Sequence, residues 1–173
     1  NHNLSTQIMF ADHQYSNNNT WFRPSTSTQA INSGREGEAS RSYSKERQYV
    51  MEWLANYSGT FDKHHVKLMT GYSYQYAQYS GLNASNKDFP NDGLGADNIG
   101  SGEYAKDEGE IGMGSYKNDS KLIAFFGRLS YDFDGKYMFT ASLRHEGSSK
   151  FGADNKWGNF PAVSAGWRIS EAK

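Results

Sequence analysis

The chain reads as an all-β protein: an antiparallel meander of about six long strands, forming an arc of a large transmembrane β-barrel. Three observations predict this. Apolar residues recur at every second position, and the faces they define carry no charge. Tight, turn-like connections alternate with long polar ones. The periodic runs span about 8–13 residues, bracketing the ~9–11 that a tilted strand needs to cross a bilayer.

The first strand is predicted over Leu4–Ala11, with Leu4, Thr6, Ile8 and Phe10 on its apolar face. After the polar segment His13–Gln48, a second covers Tyr49–Phe61 and shows Tyr49, Met51, Trp53, Ala55, Tyr57, Gly59 and Phe61. The short stretch Asp62-Lys63-His64 turns the chain into a third, Val66–Tyr76, facing out with Val66, Leu68, Thr70, Tyr72, Tyr74 and Tyr76. A second long segment, Ala77–Lys121, leads to Leu122–Phe133, where Ile123, Phe125, Gly127, Leu129, Tyr131 and Phe133 align. Asp134-Gly135-Lys136 is a hairpin signal, because glycine accepts positive φ without steric cost. Tyr137–Glu146 follows with Tyr137, Phe139, Ala141, Leu143 and His145 on one side. The shorter loop Gly147–Pro161 precedes the last strand, Ala162–Ser170, with Val163, Ala165, Trp167 and Ile169. None of these face residues is Asp, Glu, Lys or Arg. The opposite faces hold Glu52, Lys67, Arg128, Asp132, Arg144, Glu146 and Arg168 among small and polar neighbours.

Composition narrows the classes. The longest apolar run, Leu122–Phe126, is far short of the ~20 residues of a membrane-spanning helix. With no cysteine there is no disulfide or cysteine–zinc scaffold. A net charge of −1 gives no basic field of the kind nucleic-acid binders use. Aromatic residues make up 15% of the chain, too many for general disorder. No charged start followed by an apolar stretch opens the chain, and it stops directly after a strand-like run, so it is expected to be a piece of a longer protein.

Two surroundings would explain the alternation: a second sheet, as in a soluble β-sandwich carbohydrate-binding module, or lipid. Ring placement favours lipid. Phe61, Phe133 and Tyr137 flank the tight turns, and Tyr49, Tyr74 and Tyr76 sit near the long-loop ends, the pattern of interfacial girdles. In a sandwich core each such buried hydroxyl would need a partner, at about 1–3 kcal/mol when unmet. Six strands fall below the usual minimum of eight for a barrel, and unpaired edges are not tolerated in hydrocarbon, hence an arc rather than a closed wall.

The ordered run Phe126-Gly127-Arg128, Asp134-Gly135-Lys136-Tyr137, Gly147-Ser148-Ser149-Lys150-Phe151-Gly152, Trp157-Gly158-Asn159-Phe160-Pro161 and Gly166-Trp167-Arg168-Ile169-Ser170 resembles the barrel of SusC/RagA-type TonB-dependent transporters. His145-Glu146 stands where that family often has Arg-Asp or Arg-Glu, a mild departure. The resemblance implies an outer-membrane, multi-pass barrel of a Gram-negative cell that imports glycans or peptides. It implies a SusD-like surface lipoprotein and the TonB complex as partners. On this reading residues 1–173 are a partial barrel of three hairpins, supplying wall and extracellular loops, with the plug domain, the TonB-contacting box and the remaining strands elsewhere.

No catalytic, cofactor-binding or metal-binding residue is assigned. The Gly147–Phe160 loop lacks the spacing of a phosphate-binding loop, and Gly112-x-Gly114 is too short a signal. His64-His65 and His145-Glu146 supply no third metal ligand and read as solvated or interfacial. The acidic segment Asn83–Glu110, with Asp88, Asp92, Asp97, Glu103, Asp107, Glu108 and Glu110, lacks the order of a calcium loop and reads as solvated extracellular charge. Arg128, Arg144 and Glu146 read as a lumenal charge ladder stabilising the wall; direct substrate contact is the less favoured reading. Trp21, Phe22 and Tyr43 either stack on sugar rings, pack on a lipoprotein or fold their loop onto itself.

Overall fold

A computed structural model describes residues 2–93, 95–107 and 112–169. Six strands pair in chain order: β1 (His2–Arg23), β2 (Glu38–Phe61), β3 (His64–Lys87), β4 (Met113–Phe133), β5 (Tyr137–Ser148) and β6 (Trp157–Trp167). Two short helices, α1 (Thr28–Ser33) and α2 (Tyr104–Asp107), interrupt the connections. The order is a simple meander, and among the described residues β1 and β6 each have a neighbour on one side only.

The first four strands are much longer than the sequence suggests: 22, 24, 24 and 21 residues. The polar segments predicted as loops from His13 and from Ala77 therefore begin as strand. Ser, Asn and Gln dominate there and the few apolar residues, such as Tyr15, Tyr43, Tyr79 and Leu82, keep no regular face, so the period-two signal fades although the ladder continues. β6 starts at Trp157 rather than Ala162. Pro161 lies inside it opposite Leu143. Ser170, at the predicted end of that strand, lies outside the described residues.

Cα packing divides the chain into two compact units. The first comprises Asn1–His13, Gln48–Ala77 and Ser120–Lys173 and holds both tight turns. In the β4–β5 turn Asp134 and Gly135 both have positive φ (55° and 66°), and the Lys136 amide donates to the Phe133 carbonyl at 2.9 Å. That is the primed hairpin turn an Asp-Gly pair favours. Asp132 Oδ1 accepts from the Gly135 amide at 2.9 Å. The two turns are also tied together, because the Asp134 amide donates to the Lys63 carbonyl at 2.8 Å.

The register confirms the predicted phase. Phe125 pairs with His145, Leu129 with Ala141, Tyr131 with Phe139 and Phe133 with Tyr137. Tyr137 pairs with Trp167, Phe139 with Ala165 and Ala141 with Val163. Directly opposed residues share a face, so the apolar sets of β4, β5 and β6 merge into one surface.

The second unit, Gln14–Arg47 with Gln78–Asp119, has a small core of its own. Phe89 is 2% exposed and packs with Ala39, Ala96, Phe22 and Ile99. Ser27 caps α1 by accepting the Ala30 amide, and Gly34 closes it in the left-handed region.

Candidate functional site

Two faces of the first unit and one cluster in the second carry the chemistry. On the apolar face no described residue forms a second layer over the rings and branched chains. Leu4, Ile8, Phe10, Phe125, Leu143, Val163 and Trp167 are 51–76% exposed. So much contiguous apolar surface marks contact with lipid or a partner. Two threonines on it bond within the sheet, as hydrocarbon favours. Thr6 Oγ1 donates to the Leu54 carbonyl at 3.1 Å while accepting from Trp53 Nε1 at 2.9 Å. Thr70 Oγ1 donates to the Phe126 carbonyl at 3.3 Å.

Aromatic belts bound this face. At the tight-turn end the rings run across the strands: His2 with Tyr57 and Phe61, His64 with Tyr131 and Phe133, then Phe133 with Tyr137 and Tyr137 with Trp167, at centroid distances of 4.7–6.5 Å. His2 and His64 hydrogen-bond the Tyr57 and Tyr131 hydroxyls, so both histidines are belt residues. At the other end Tyr49 stacks on Tyr76, and His145 lies parallel to Trp157 at 4.7 Å. From Phe61 back to Tyr49 the chain climbs about 40 Å at ~3.3 Å per residue. Inclined by ~40°, that is about 30 Å of height, close to the ~25 Å apolar band of a barrel.

The opposite face is polar. Arg144 bonds Glu146, two residues along the same face of β5, and its guanidinium lies 5.6 Å from the Phe126 ring centroid. Of the three residues read from sequence as a charge ladder, these two pair. Arg128 does not join them: among the described residues no carboxylate pairs with Arg128. His65 Nδ1 lies 3.4 Å from Asp132 Oδ1, binding β3 to β4 at the turn end. Among the described residues no group of His, Asp and Glu is placed to hold a metal ion.

In the second unit two acids of the acidic segment, Asp88 and Asp92, are structural ties, while Asp97 and Glu103 stay exposed. Asp92 accepts from the amide and hydroxyl of Ser25 at 2.8 and 2.9 Å. Asp88 accepts from Arg35 Nη1 at 2.9 Å and from the Glu36 amide at 3.0 Å. Glu108 and Glu110 of that segment lie outside the described residues. Arg23 pairs with Glu38 at 2.8 Å and lies over the Trp21 ring at 4.6 Å. Arg35 and Lys87 both stand over Tyr104, at 4.2 and 5.1 Å. Of the three loop aromatics singled out in the sequence, Phe22 is spent on the core, while Trp21 and Tyr43 remain 40% and 41% exposed. Tyr104 carries no periodic signal and escapes sequence reasoning.

Comparison with known proteins agrees with these surfaces. A family model described as "TonB dependent receptor-like, beta-barrel" matches residues 1–172. TonB-dependent receptor P3 of Formosa agariphila is 31% identical over 150 residues, 87% of this chain. TonB-dependent receptor SusC of Bacteroides thetaiotaomicron is 44% identical over 57 residues, 33% of the chain. The chain spans only 14% of the first receptor's length and 6% of the second's. Among solved structures, one titled as the RagAB peptide transporter superposes with a TM-score of 0.82 at 20% identity, covering 96% of this chain and 18% of that one. That likeness establishes the fold: an open run of strands from a large barrel wall. The chain belongs to the TonB-dependent receptor β-barrel family, whose barrels sit in the outer membrane.

Proposed function

We propose that these residues form wall and outer loops of a TonB-dependent importer that takes up glycans or peptides with a SusD-like surface lipoprotein. The observation that carries the reading is the pairing of faces in the first unit. A ring-bordered apolar surface lies open on one side of the strands, and charged and hydroxyl side chains lie on the other. A soluble sandwich would bury the first of these; a barrel wall offers it to lipid and keeps the second for the lumen. Residues 1–173 then serve as three hairpins of a partial barrel, with plug and further strands contributed by the rest of the parent. Exposed Trp21 and Tyr43 are the residues we assign to ligand or lipoprotein contact, since flat, amphipathic rings suit both. The chain's role is structural and recognitive, not enzymatic.

The test uses the full-length parent. Its gel mobility in detergent should change on boiling, and cells carrying it should accumulate labelled oligosaccharide or oligopeptide only while the inner membrane is energised. A soluble parent with no heat-modifiable band would overturn the reading, as would uptake that persists after the proton gradient is collapsed.

A further inference from the structure

The polar face of the first unit contains a concavity of about 350 Å³ whose lining has two cations and no carboxylate. Lys67 comes from β3 and Arg128 from β4. Asn3, Asn56, Ser58 and Ser130 contribute amides and hydroxyls around them. Some basic side chains of the chain stand near acids: Arg23 and Lys87 by Glu38, Arg35 by Asp88, Lys63 and Lys136 by Asp134, Arg144 by Glu146. Among the described residues neither Lys67 nor Arg128 has an ion-pair or hydrogen-bond partner. The nearest acid along β4, Asp132, is taken up by His65 and the Gly135 amide. Like charges on one face of adjacent strands repel, so leaving both unanswered costs stability unless an anion joins them.

We propose that this concavity is an oxyanion-binding station. The guanidinium of Arg128 supplies a planar fork that suits a carboxylate, phosphate or sulfate group. Lys67 adds a mobile point charge, and the amides and hydroxyls answer the remaining oxygen lone pairs. The inference rests on the reading above, in which this face lines the lumen. One chemistry has two sources: an anionic solute passing through, or an acidic side chain from another part of the parent lodged against the wall.

The chain has no cysteine, so Ser130→Cys in the full-length parent places a single thiol of this segment in the concavity. Its modification by an anionic and a cationic methanethiosulfonate reagent reads the local potential. The anionic reagent should be favoured, and the rate ratio should fall about tenfold when Lys67→Gln and Arg128→Gln are added, since local potentials reach a few kT. Slowing of the anionic reagent by millimolar citrate, lost in the doubly neutralised variant, identifies a free solute as the occupant. A thiol closed to both reagents, with a melting temperature lowered by Arg128→Glu, identifies an acidic side chain of the parent. A rate ratio indifferent to neutralisation overturns the proposal, as does a closed thiol with melting indifferent to Arg128→Glu. All variants are read on protein that keeps the heat-modifiable band. Loss of that band in the parent itself would instead overturn the barrel reading.

Discussion

A methyl group added at Gly71 would lie 2.6 Å from Cζ of Phe126 and 2.7 Å from the Trp53 carbonyl oxygen. The ring covers the glycine on the polar face, so the strand interior is filled although one residue has no side chain. Gly71→Ala should therefore destabilise the barrel by about 1–3 kcal/mol, the usual range for overpacking. Gly127→Ala is the control: its added carbon would meet only the Met69 carbonyl, at 3.7 Å. Thermal loss of the unboiled gel band should come earlier for the first substitution and be unchanged for the second.

The hairpin turn at Asp134-Gly135 depends on two positive φ angles. Gly135→Val puts a β-branched residue where φ is 66°, and should cost at least ~1 kcal/mol. Urea titration of the parent in micelles should show a lower midpoint with an unchanged slope.

Leu143 is half exposed on the apolar face, between the two aromatic belts. Leu143→Arg should cost ~1–3 kcal/mol, because the penalty for a cation falls from the bilayer midplane toward the belt that holds His145. Ser142→Arg, one residue away and on the polar face, should cost little. Outer-membrane levels of folded parent distinguish the two, and equal levels would argue against lipid as the neighbour of Leu143.

Phe89 fills the core of the second unit, so Phe89→Ala should loosen that core by about 3–5 kcal/mol. Limited proteolysis of intact cells should then cut the parent near residues 86–103, where the unaltered parent resists. The heat-modifiable band should persist, since no described residue of the first unit belongs to that core.

Much of the wall was legible because lipid imposes a rule on every second residue. Ile123 to Phe133 and Tyr137 to His145 fall on one face in the sequence and pair on one face in the structure. The strand beyond Ala11, before Tyr49 and after Tyr76 was not legible, because a ladder with polar residues on both sides leaves no alternation to read. Phe22 looked like a loop aromatic, and Phe89 gave no signal within the Ala77–Lys121 segment. They meet only because the segments that carry them fold onto each other, a contact no local spacing encodes. The Arg144–Glu146 pair could be read from a spacing of two. The isolation of Arg128 could not, since it depends on which residues neighbouring strands place beside it.

The lone-sided strands at either end of the meander decide how such a wall must be made. Among the described residues each has a row of amides and carbonyls on its outer side, and a border of that kind recruits extended backbone. A ribbon like this cannot wait in solution as a half-finished product without sticking to its own copies. In the barrel we propose, the rest of the parent supplies the partner of each border, so the stability of this arc belongs to the finished cylinder.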